Sequence, residues 1–240
     1  MEYLDKNIRS IEKKDAALYE KINKILENKE YSFQKFYLKE TKNGEKTVEI
    51  KTDKGIVRLN SIYNPEKEAT VWTKKLPLNN IDTSIIVFGN ANGIFTKEIL
   101  KNVGENSSVI IFEPDMSLFI YSMQNFDMKD IILDKRVHLY INGINDEEFE
   151  FGLIKYISDV DMSTVVCCAI PKLEEMYDLE AEKFKEHIVG RIKKKELNKL
   201  TQKRLNKISA INLIKNLHFL KSSNYITDFI SVIPKEVPFI

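Results

Sequence analysis

Cysteine is scarce in this 240-residue sequence, which contains only the adjacent pair Cys167 and Cys168. Neighbouring side chains on a strand point to opposite faces, so these two thiols are not placed to bond to each other. The sequence therefore has no disulfide framework and no cysteine spacing typical of zinc sites. We expect two buried thiols in a cytoplasmic protein.

Long apolar runs and an excess of one charge are also absent. No apolar stretch approaches the roughly 20 residues of a membrane-spanning helix, and the early acids Glu2 and Asp5 do not fit a signal peptide. The 37 basic residues nearly balance the 36 acidic ones, so the net charge does not favour nucleic acid or an anionic membrane as a partner. We expect no membrane association, and a nucleic-acid-binding module that uses the strip Arg191–Lys207 is the least favoured interpretation.

Familiar catalytic motifs are missing as well. His138, His187 and His218 are isolated from one another and from zinc-type ligand spacings. No nucleophile-elbow or phosphate-loop sequence occurs, and Cys167–Pro171 does not match the Asn-Pro-Pro-Tyr segment of amino-group methylases. The sequence thus identifies no catalytic residue and no metal site, and whether the chain is an enzyme stays open.

The most informative segment begins at Ser84. The apolar run Ile85–Phe88 leads into a glycine-containing turn and a helical pattern, and a second apolar run, Val109–Phe112, ends at Glu-Pro-Asp. This strand, turn, helix and strand order is typical of the first βαβ unit of a nucleotide-binding fold, where a carboxylate after the second strand can accept hydrogen bonds from ribose hydroxyls. The predicted cofactor-binding residues are Gly89, Asn90, Ala91, Asn92, Gly93, Glu113 and Asp115.

The spacing of the turn suggests which cofactor it would take. Gly89-x-Ala91-x-Gly93 is nearer to the Gly-x-Gly-x-Gly turn of S-adenosylmethionine-dependent methyltransferases than to the dinucleotide fingerprint. The Cβ of Ala91 disfavours a positive φ and a close approach by a ligand. The turn is therefore interpreted either as a site for a nucleotide or S-adenosylmethionine or as a βαβ turn that binds no ligand.

Further strands and helices alternate after this unit. Ile131–Leu133 is a short strand candidate, Val137–Ile141 is a better third strand, and the apolar run Ser163–Ala169 is typical of a buried parallel strand. A helix begins at Pro171. This alternation predicts a parallel sheet with helices on both faces, whose loops converge at the carboxyl ends of the strands.

The two flanking regions have different patterns. Residues 3–28 predict two helices with Asp15 as the cap of the second, and the following region predicts an antiparallel meander and a helix that begins at Asn64-Pro65. Trp72 is interpreted as a packing residue rather than a ligand-stacking one. Residues 172–199 and 202–221 predict helices, and their basic strip Arg191–Lys207 is either a solvated face or a surface for a phosphate-bearing ligand or acidic partner.

The sequence therefore predicts an α/β protein with a Rossmann-like, mostly parallel sheet and flanking helices. Residues 1–62 are predicted to form an N-terminal subdomain of helices and a small antiparallel meander. Residues 63–180 are predicted to form the Rossmann-like domain, and residues 181–240 a helical extension that leads to a central domain beyond this chain.

Three segments together resemble the N-terminal region of the motility accessory factor family. The family's Ser-x-Tyr-x-Pro-x-x-Glu-Ala segment is matched within Leu59–Ala69, its glycine turn resembles Ile86–Gly93, and its Glu-Pro strand end resembles Ile111–Asp115. The tail Ile233–Ile240 resembles the approach to the family's central domain. The middle glycine of the family's turn is replaced by Ala91, and Ile94 or Phe95 stands where tyrosine is usual.

The resemblance implies a role for a larger parent protein. Such a parent is a flagellin glycosyltransferase with a 6-hydroxymethylpterin diphosphokinase-like central domain, and it transfers a nonulosonic acid from a nucleotide-activated sugar to Ser or Thr hydroxyls of flagellin. This chain would be its Rossmann-like accessory domain, which is not catalytic by itself. An S-adenosylmethionine-dependent, methyltransferase-like domain is the alternative function.

Overall fold

The computed structural model describes residues 3–78, 82–157 and 165–220. The chain divides into two compact units, residues 1–189 and residues 190–240. Seven strands and the helices between them belong to the first unit, and the second unit contains the rest of the last helix. The predicted tail resemblance at 233–240 lies outside the described residues, and the predicted division at residues 62 and 180 stays a prediction.

The first unit opens with two helices and a small sheet. Helices α1 (Leu4–Lys14) and α2 (Ala16–Asn28) are separated by Asp15, whose side chain accepts a hydrogen bond from the Leu18 amide as the predicted cap. Strands β1 (Phe36–Glu40), β2 (Lys46–Thr52) and β3 (Gly55–Arg58) then form an antiparallel meander. The predicted N-terminal helices and meander are confirmed.

Helix α3 (Pro65–Thr73) connects the meander to the second sheet. The Asn64 side chain accepts a hydrogen bond from the Lys67 amide, and Pro65 occupies the first turn, where its missing N–H leaves no donor unpaired. Ala69 is buried, and Trp72 is half-buried against the core. The predicted helix start is therefore confirmed, and Trp72 packs against the core with part of its side chain left exposed.

The second sheet has four parallel strands in the order β6-β5-β4-β7. Non-consecutive neighbours such as β4 and β7 require helical crossovers, as in other Rossmann-like sheets. The predicted α/β fold class is confirmed. Its elements are β4 (Ser84–Phe88), α4 (Ile94–Lys101), β5 (Ser108–Glu113), α5 (Met116–Asn125), α6 (Lys129–Leu133), β6 (Val137–Ile141), α7 (Phe149–Ile157), β7 (Val165–Ala169), α8 (Pro171–Met176) and α9 (Asp178–Leu220), with a short 3-10 helix at Asp146–Glu148.

Apolar side chains cover both faces of this sheet. Val87 and Ile111, on one face, belong to a core cluster that extends to Phe95 in α4 and to Val48 in the meander. Phe88 and Phe112, on the other face, contact Phe184 in α9 with ring centroids 5.2 and 5.8 Å apart. The sheet is thus packed on both sides, which explains why β4 reads as a continuous apolar run.

Four local predictions are wrong. The Ile131–Leu133 segment lies in α6, because its apolar side chains pack as one turn of a helix. The run from Ser163 does form a parallel strand, β7, which pairs with β4, but its predicted burial is wrong because β7 lies at the edge of the described sheet and is mostly half-buried. Residues 163–164 of the run lie outside the described residues. At this edge Cys167 is exposed and Cys168 is only half-buried. The predicted break near residue 200 is absent, since α9 is continuous across it.

Candidate functional site

The predicted site residues meet at the carboxyl ends of β4 and β5. The Gly89 amide donates to the Phe112 carbonyl at 2.7 Å, and the Asn142 amide donates to the Glu113 carbonyl at 2.9 Å. These bonds continue the sheet ladder into the loops and hold the turn after β4 against the end of β5. The turn and Glu113 therefore meet at this edge of the sheet, as predicted.

The turn after β4 needs residues that tolerate a positive φ. Gly89 and Gly93 have φ values of 91° and 79°, and Ala91 has a φ of 50°. A left-handed conformation costs a non-glycine residue about 1–2 kcal/mol, so neighbouring contacts must support Ala91. The sequence predicted the two glycines at such positions, but it gave no reason to expect Ala91 to adopt this conformation.

Glu113 supplies that support from the next strand. Its buried Oε2 atom accepts hydrogen bonds from the Asn90 amide at 2.8 Å and from the Ala91 amide at 3.0 Å. Burial raises the pKa of Glu113 to about 7, although the backbone N–H donors act in the opposite direction. The carboxylate expected to accept ribose hydroxyls thus binds the chain's own turn.

Apolar side chains fill the space through which a ligand would approach the turn. A Cβ atom added to Gly89 would lie 2.3 Å from Cδ1 of Leu173 in α8, and one added to Gly93 would lie 2.4 Å from Cδ1 of Ile131 in α6. Asn90, which follows Gly89 in the turn, is fully buried. In this conformation the backbone of the turn is covered by α6 and α8.

Asparagine side chains extend the contacts of the turn into a buried polar network. Asn92 Nδ2 donates to Asn60 Oδ1 at 2.8 Å, and Thr47 Oγ1 donates to the same oxygen at 3.2 Å. On the other side of the turn, Thr96 Oγ1 donates to Asn90 Oδ1 at 2.8 Å. The network therefore connects the turn to β2, to the segment before α3 and to α4.

Asp115 is bound by two side chains from distant parts of the chain. Its Oδ2 atom accepts a hydrogen bond from Lys35 Nζ at 2.6 Å and one from the Tyr177 hydroxyl at 2.5 Å, while Oδ1 caps α5 through the Leu118 amide. Burial acts to raise the pKa of Asp115, but the bonds from Lys35 and Tyr177 outweigh it and hold that pKa below its usual range. Asp115 thus anchors the segment before β1 and the α8–α9 junction to the sheet edge.

Open space lies elsewhere in the described part of the chain. Three cavities of about 620, 270 and 440 Å³ lie beside Lys97 in α4, His138 in β6 and Trp72 in α3, respectively. None of the seven predicted cofactor-binding residues lines any of the three. These three concave surfaces are therefore separate from the turn.

The cavity beside Trp72 is the one nearest to the segment that carries the family resemblance. We call it the Trp72 cavity; its lining includes Ser61, Tyr63, Lys67, Trp72, Lys75 and Phe95. Sequence reasoning treated Ser61 and Tyr63 as parts of a motif and Trp72 as a packing residue, so it missed this surface. Its only signal in the sequence is the clustering of aromatic and basic residues between positions 61 and 75.

Two features are absent from residues 3–78, 82–157 and 165–220, a cluster of metal-binding side chains and a membrane-spanning helix. No group of three or more histidine, cysteine or acidic side chains in these ranges is arranged to hold a metal ion. Within the same ranges, every helix is too short or too polar to cross a bilayer.

Comparisons with known proteins give weak likenesses. The sequence matches no protein-family model, and no curated protein matches it. The structure is similar to MAf glycosyltransferase from Magnetospirillum magneticum AMB-1, with a TM-score of 0.49 and 11% identity over 72% of this chain and 33% of that chain. It is also similar to spermidine synthase from Thermotoga maritima, with a TM-score of 0.29 and 13% identity over 45% of this chain and 40% of that chain. The chain thus spans about a third of the length of the first protein, and neither likeness assigns it an activity.

Proposed function

We propose that this chain is a Rossmann-like accessory domain of a protein glycosyltransferase of the motility accessory factor type. The parent protein would transfer a nonulosonic acid from a nucleotide-activated donor to Ser or Thr hydroxyls of flagellin in the cytoplasm. In this proposal the domain does no chemistry of its own. Its sheet and turn form a rigid body that supports the catalytic domain or docks the protein substrate.

The proposal that this domain is not catalytic rests on one observation, the closure of the turn by Glu113. A cofactor-binding turn presents its backbone N–H groups to the ligand. Here the amides of Asn90 and Ala91 already donate to Glu113 Oε2, and Leu173 occupies the approach to Gly89. A cofactor would have to displace both groups, so the geometry supports a structural role for the turn.

The segment that carries the family resemblance also has a structural role. Glu68 Oε2 accepts a hydrogen bond from the Ser61 amide at 2.6 Å, and Ser61 Oγ accepts one from the Tyr63 amide at 3.2 Å. With Pro65 in the first turn and Ala69 buried, the matched positions define how α3 begins and where it packs. A motif that positions the start of a helix supports a domain in common with the family. It does not by itself support an active site in common.

A second candidate function is binding of S-adenosylmethionine at the turn. It is favoured by the positive φ values of Gly89 and Gly93 between a buried parallel strand and a helix, and by the acidic residue that ends β5. In this alternative Glu113 would release the turn amides and bind ribose hydroxyls. The two candidates differ in whether the free chain binds the cofactor.

Thermal unfolding with S-adenosylhomocysteine separates the two candidates. A ligand present at about 100 times its dissociation constant adds roughly 2.7 kcal/mol of stability, which corresponds to a rise of roughly 5–11 °C for a chain of this size. The accessory-domain proposal predicts no rise at millimolar S-adenosylhomocysteine. A saturable rise that is lost in Gly93→Arg would overturn the closed turn and favour the methyltransferase-like alternative.

The same preparation should be tested for sugar transfer to flagellin with the activated donor. The proposal predicts no transfer by this chain alone, and transfer by the complete parent protein under the same conditions provides the positive control. Transfer by this chain alone would contradict the assignment as an accessory domain.

A further inference from the structure

The Trp72 cavity has an aromatic floor that is only partly used by the fold. The Trp72 and Phe95 rings meet edge to face with centroids 5.1 Å apart, and Pro171 also lines the cavity. Phe95 is fully buried, whereas Trp72 is half-buried and leaves part of its ring accessible. A planar group can pack against that ring, because aromatic side chains favour offset or edge-to-face contacts with other rings.

The charged side chains that line the cavity are two lysines and one glutamate, so their net charge is positive. Lys67 and Lys75 both line the cavity and are exposed, and neither pairs with a carboxylate among the described residues. Glu68, the acid in the lining, already accepts a hydrogen bond from the Ser61 amide. An anionic group entering the cavity would therefore find two unpaired ammonium groups and an acid that is already hydrogen-bonded.

The rim adds an exposed aromatic side chain, Tyr63, which has a lysine against its ring. Tyr63 is 64% exposed and lines the cavity. The Lys42 ammonium lies 4.2 Å from the centroid of the Tyr63 ring, which is within the range of a cation–π contact. Tyr63 therefore adds a further aromatic surface to the lining, and the Lys42 charge lies against its ring without lining the cavity.

The volume of the cavity fits a small molecule. At about 440 Å³ it lies within the range of roughly 300–1,000 Å³ that ligand pockets occupy. Such pockets combine a mostly apolar lining with a few polar groups that fix the orientation of the ligand. The aromatic floor and the two lysines of the Trp72 cavity have this composition.

We propose that the Trp72 cavity binds a small anion that carries a planar ring. The ring packs against Trp72 and beside Tyr63, and the anionic group lies between Lys67 and Lys75. The proposed ligand is an aryl phosphate or an aryl carboxylate. Such a molecule carries both a ring that can pack on Trp72 and an anionic group that the two lysines can bind. This site is distinct from the closed turn, because none of residues 89–93 and neither Glu113 nor Asp115 lines it.

Trp72 is the only tryptophan of the chain, so its fluorescence reports directly on this cavity. The probe is phenyl phosphate, titrated at constant ionic strength, with inorganic phosphate and phenol as the two half-ligands. We expect a saturable change in Trp72 emission with phenyl phosphate and binding at least about tenfold weaker for either half alone. A response to inorganic phosphate or to phenol as strong as that to phenyl phosphate, or no saturable response, would overturn the proposal.

Lysine variants test the position of the anionic group. Lys67→Ala and Lys75→Ala should each weaken phenyl phosphate binding roughly three- to tenfold, because each removes a charge-assisted contact. Lys74→Ala is the matched control, since Lys74 is equally exposed but does not line the cavity. Equal effects of the three substitutions would show a general charge effect and contradict the site.

Discussion

Glu113 is the residue whose environment differs most from that of an ordinary carboxyl group. It is fully buried, and burial raises its pKa to about 7 from an ordinary value of 4.5. Since the folded state prefers the neutral form, the stability that Glu113 contributes is fully present below about pH 4.5 and is lost as the pH rises through 7. Ionising the buried carboxyl group therefore costs stability, and the hydrogen bonds from the turn amides offset only part of that cost.

Glu113→Gln should make this pH dependence visible. Glutamine keeps an acceptor oxygen for the turn amides but does not ionise, so the wild-type protein should lose on the order of 1–3 kcal/mol relative to the variant between pH 5 and 8. Urea unfolding of both proteins at several pH values measures the difference.

His138 is present in both proteins, so its contribution to the pH dependence of stability cancels when the two proteins are compared. Burial lowers the pKa of His138 to about 4, so its contribution to stability is lost as the pH falls below about 6.5.

A wild-type stability that rises relative to Glu113→Gln above pH 5 would contradict the burial of a neutral carboxyl group at Glu113.

At the scale of elements, α8 closes the turn through one side chain. Leu173 is fully buried against Gly89, whose φ of 91° suits glycine alone. A larger residue at position 89 would meet both a steric clash and a strained backbone. Packing of α8 on the turn thus depends on the absence of a side chain there.

Gly89→Ala should destabilise the chain by about 2–4 kcal/mol, the sum of left-handed strain and overpacking. Gly44→Ala is the control, because Gly44 has a φ of 82° but no atom within 4 Å of an added Cβ, and it should cost only about 1 kcal/mol. Urea unfolding measures both losses.

A double variant isolates the contact with α8. A Leu173→Ala background removes the 2.3 Å contact with Cδ1 and leaves only the 3.3 Å contact with Cβ. Gly89→Ala should then cost little more than the backbone strain, so the two substitutions should couple by about 1 kcal/mol or more. Additive effects, or equal losses for Gly89→Ala and Gly44→Ala, would show that Leu173 does not close the turn.

The elements that could be predicted from the sequence are those with a local signal. Ile85–Phe88 and Gly89–Gly93 predict a strand and turn because apolar runs and glycines act over a few residues. The three-residue run Ile131–Leu133 carries no period, so sequence alone could not distinguish a strand from the helix that forms. Likewise, an apolar run does not reveal whether its strand is central or, like β7, at an edge.

The closure of the site could not be predicted in the same way. Leu173 and Gly89 are far apart in sequence, and no local pattern indicates that α8 would cover the turn. Glu113 was singled out for its position after β5, but both a ribose-binding and a turn-closing carboxylate occupy that position. Only the placement of Oε2 relative to the Asn90 amide distinguishes them.

At the scale of the whole molecule, the closed turn links the meander to the parallel sheet within residues 1–189. The polar network joins Glu113 and the turn to Asn60 and to Thr47 in the meander. The apolar cluster of the same region likewise contains meander and sheet residues, such as Val48 and Val87. We therefore expect the meander and the parallel sheet to unfold together.

The most direct test of the closed turn is the urea unfolding of Glu113→Ala, followed by Trp72 fluorescence and by far-ultraviolet circular dichroism. Removing the carboxyl group leaves two buried amides without their acceptor. We predict a loss of about 2–4 kcal/mol, seen with the same midpoint by both probes. Glu113→Gln at pH 5 should lose less than about 1 kcal/mol, because it keeps an acceptor. A loss below about 0.5 kcal/mol in Glu113→Ala would contradict the account, since Glu113 would then be free to serve a ligand.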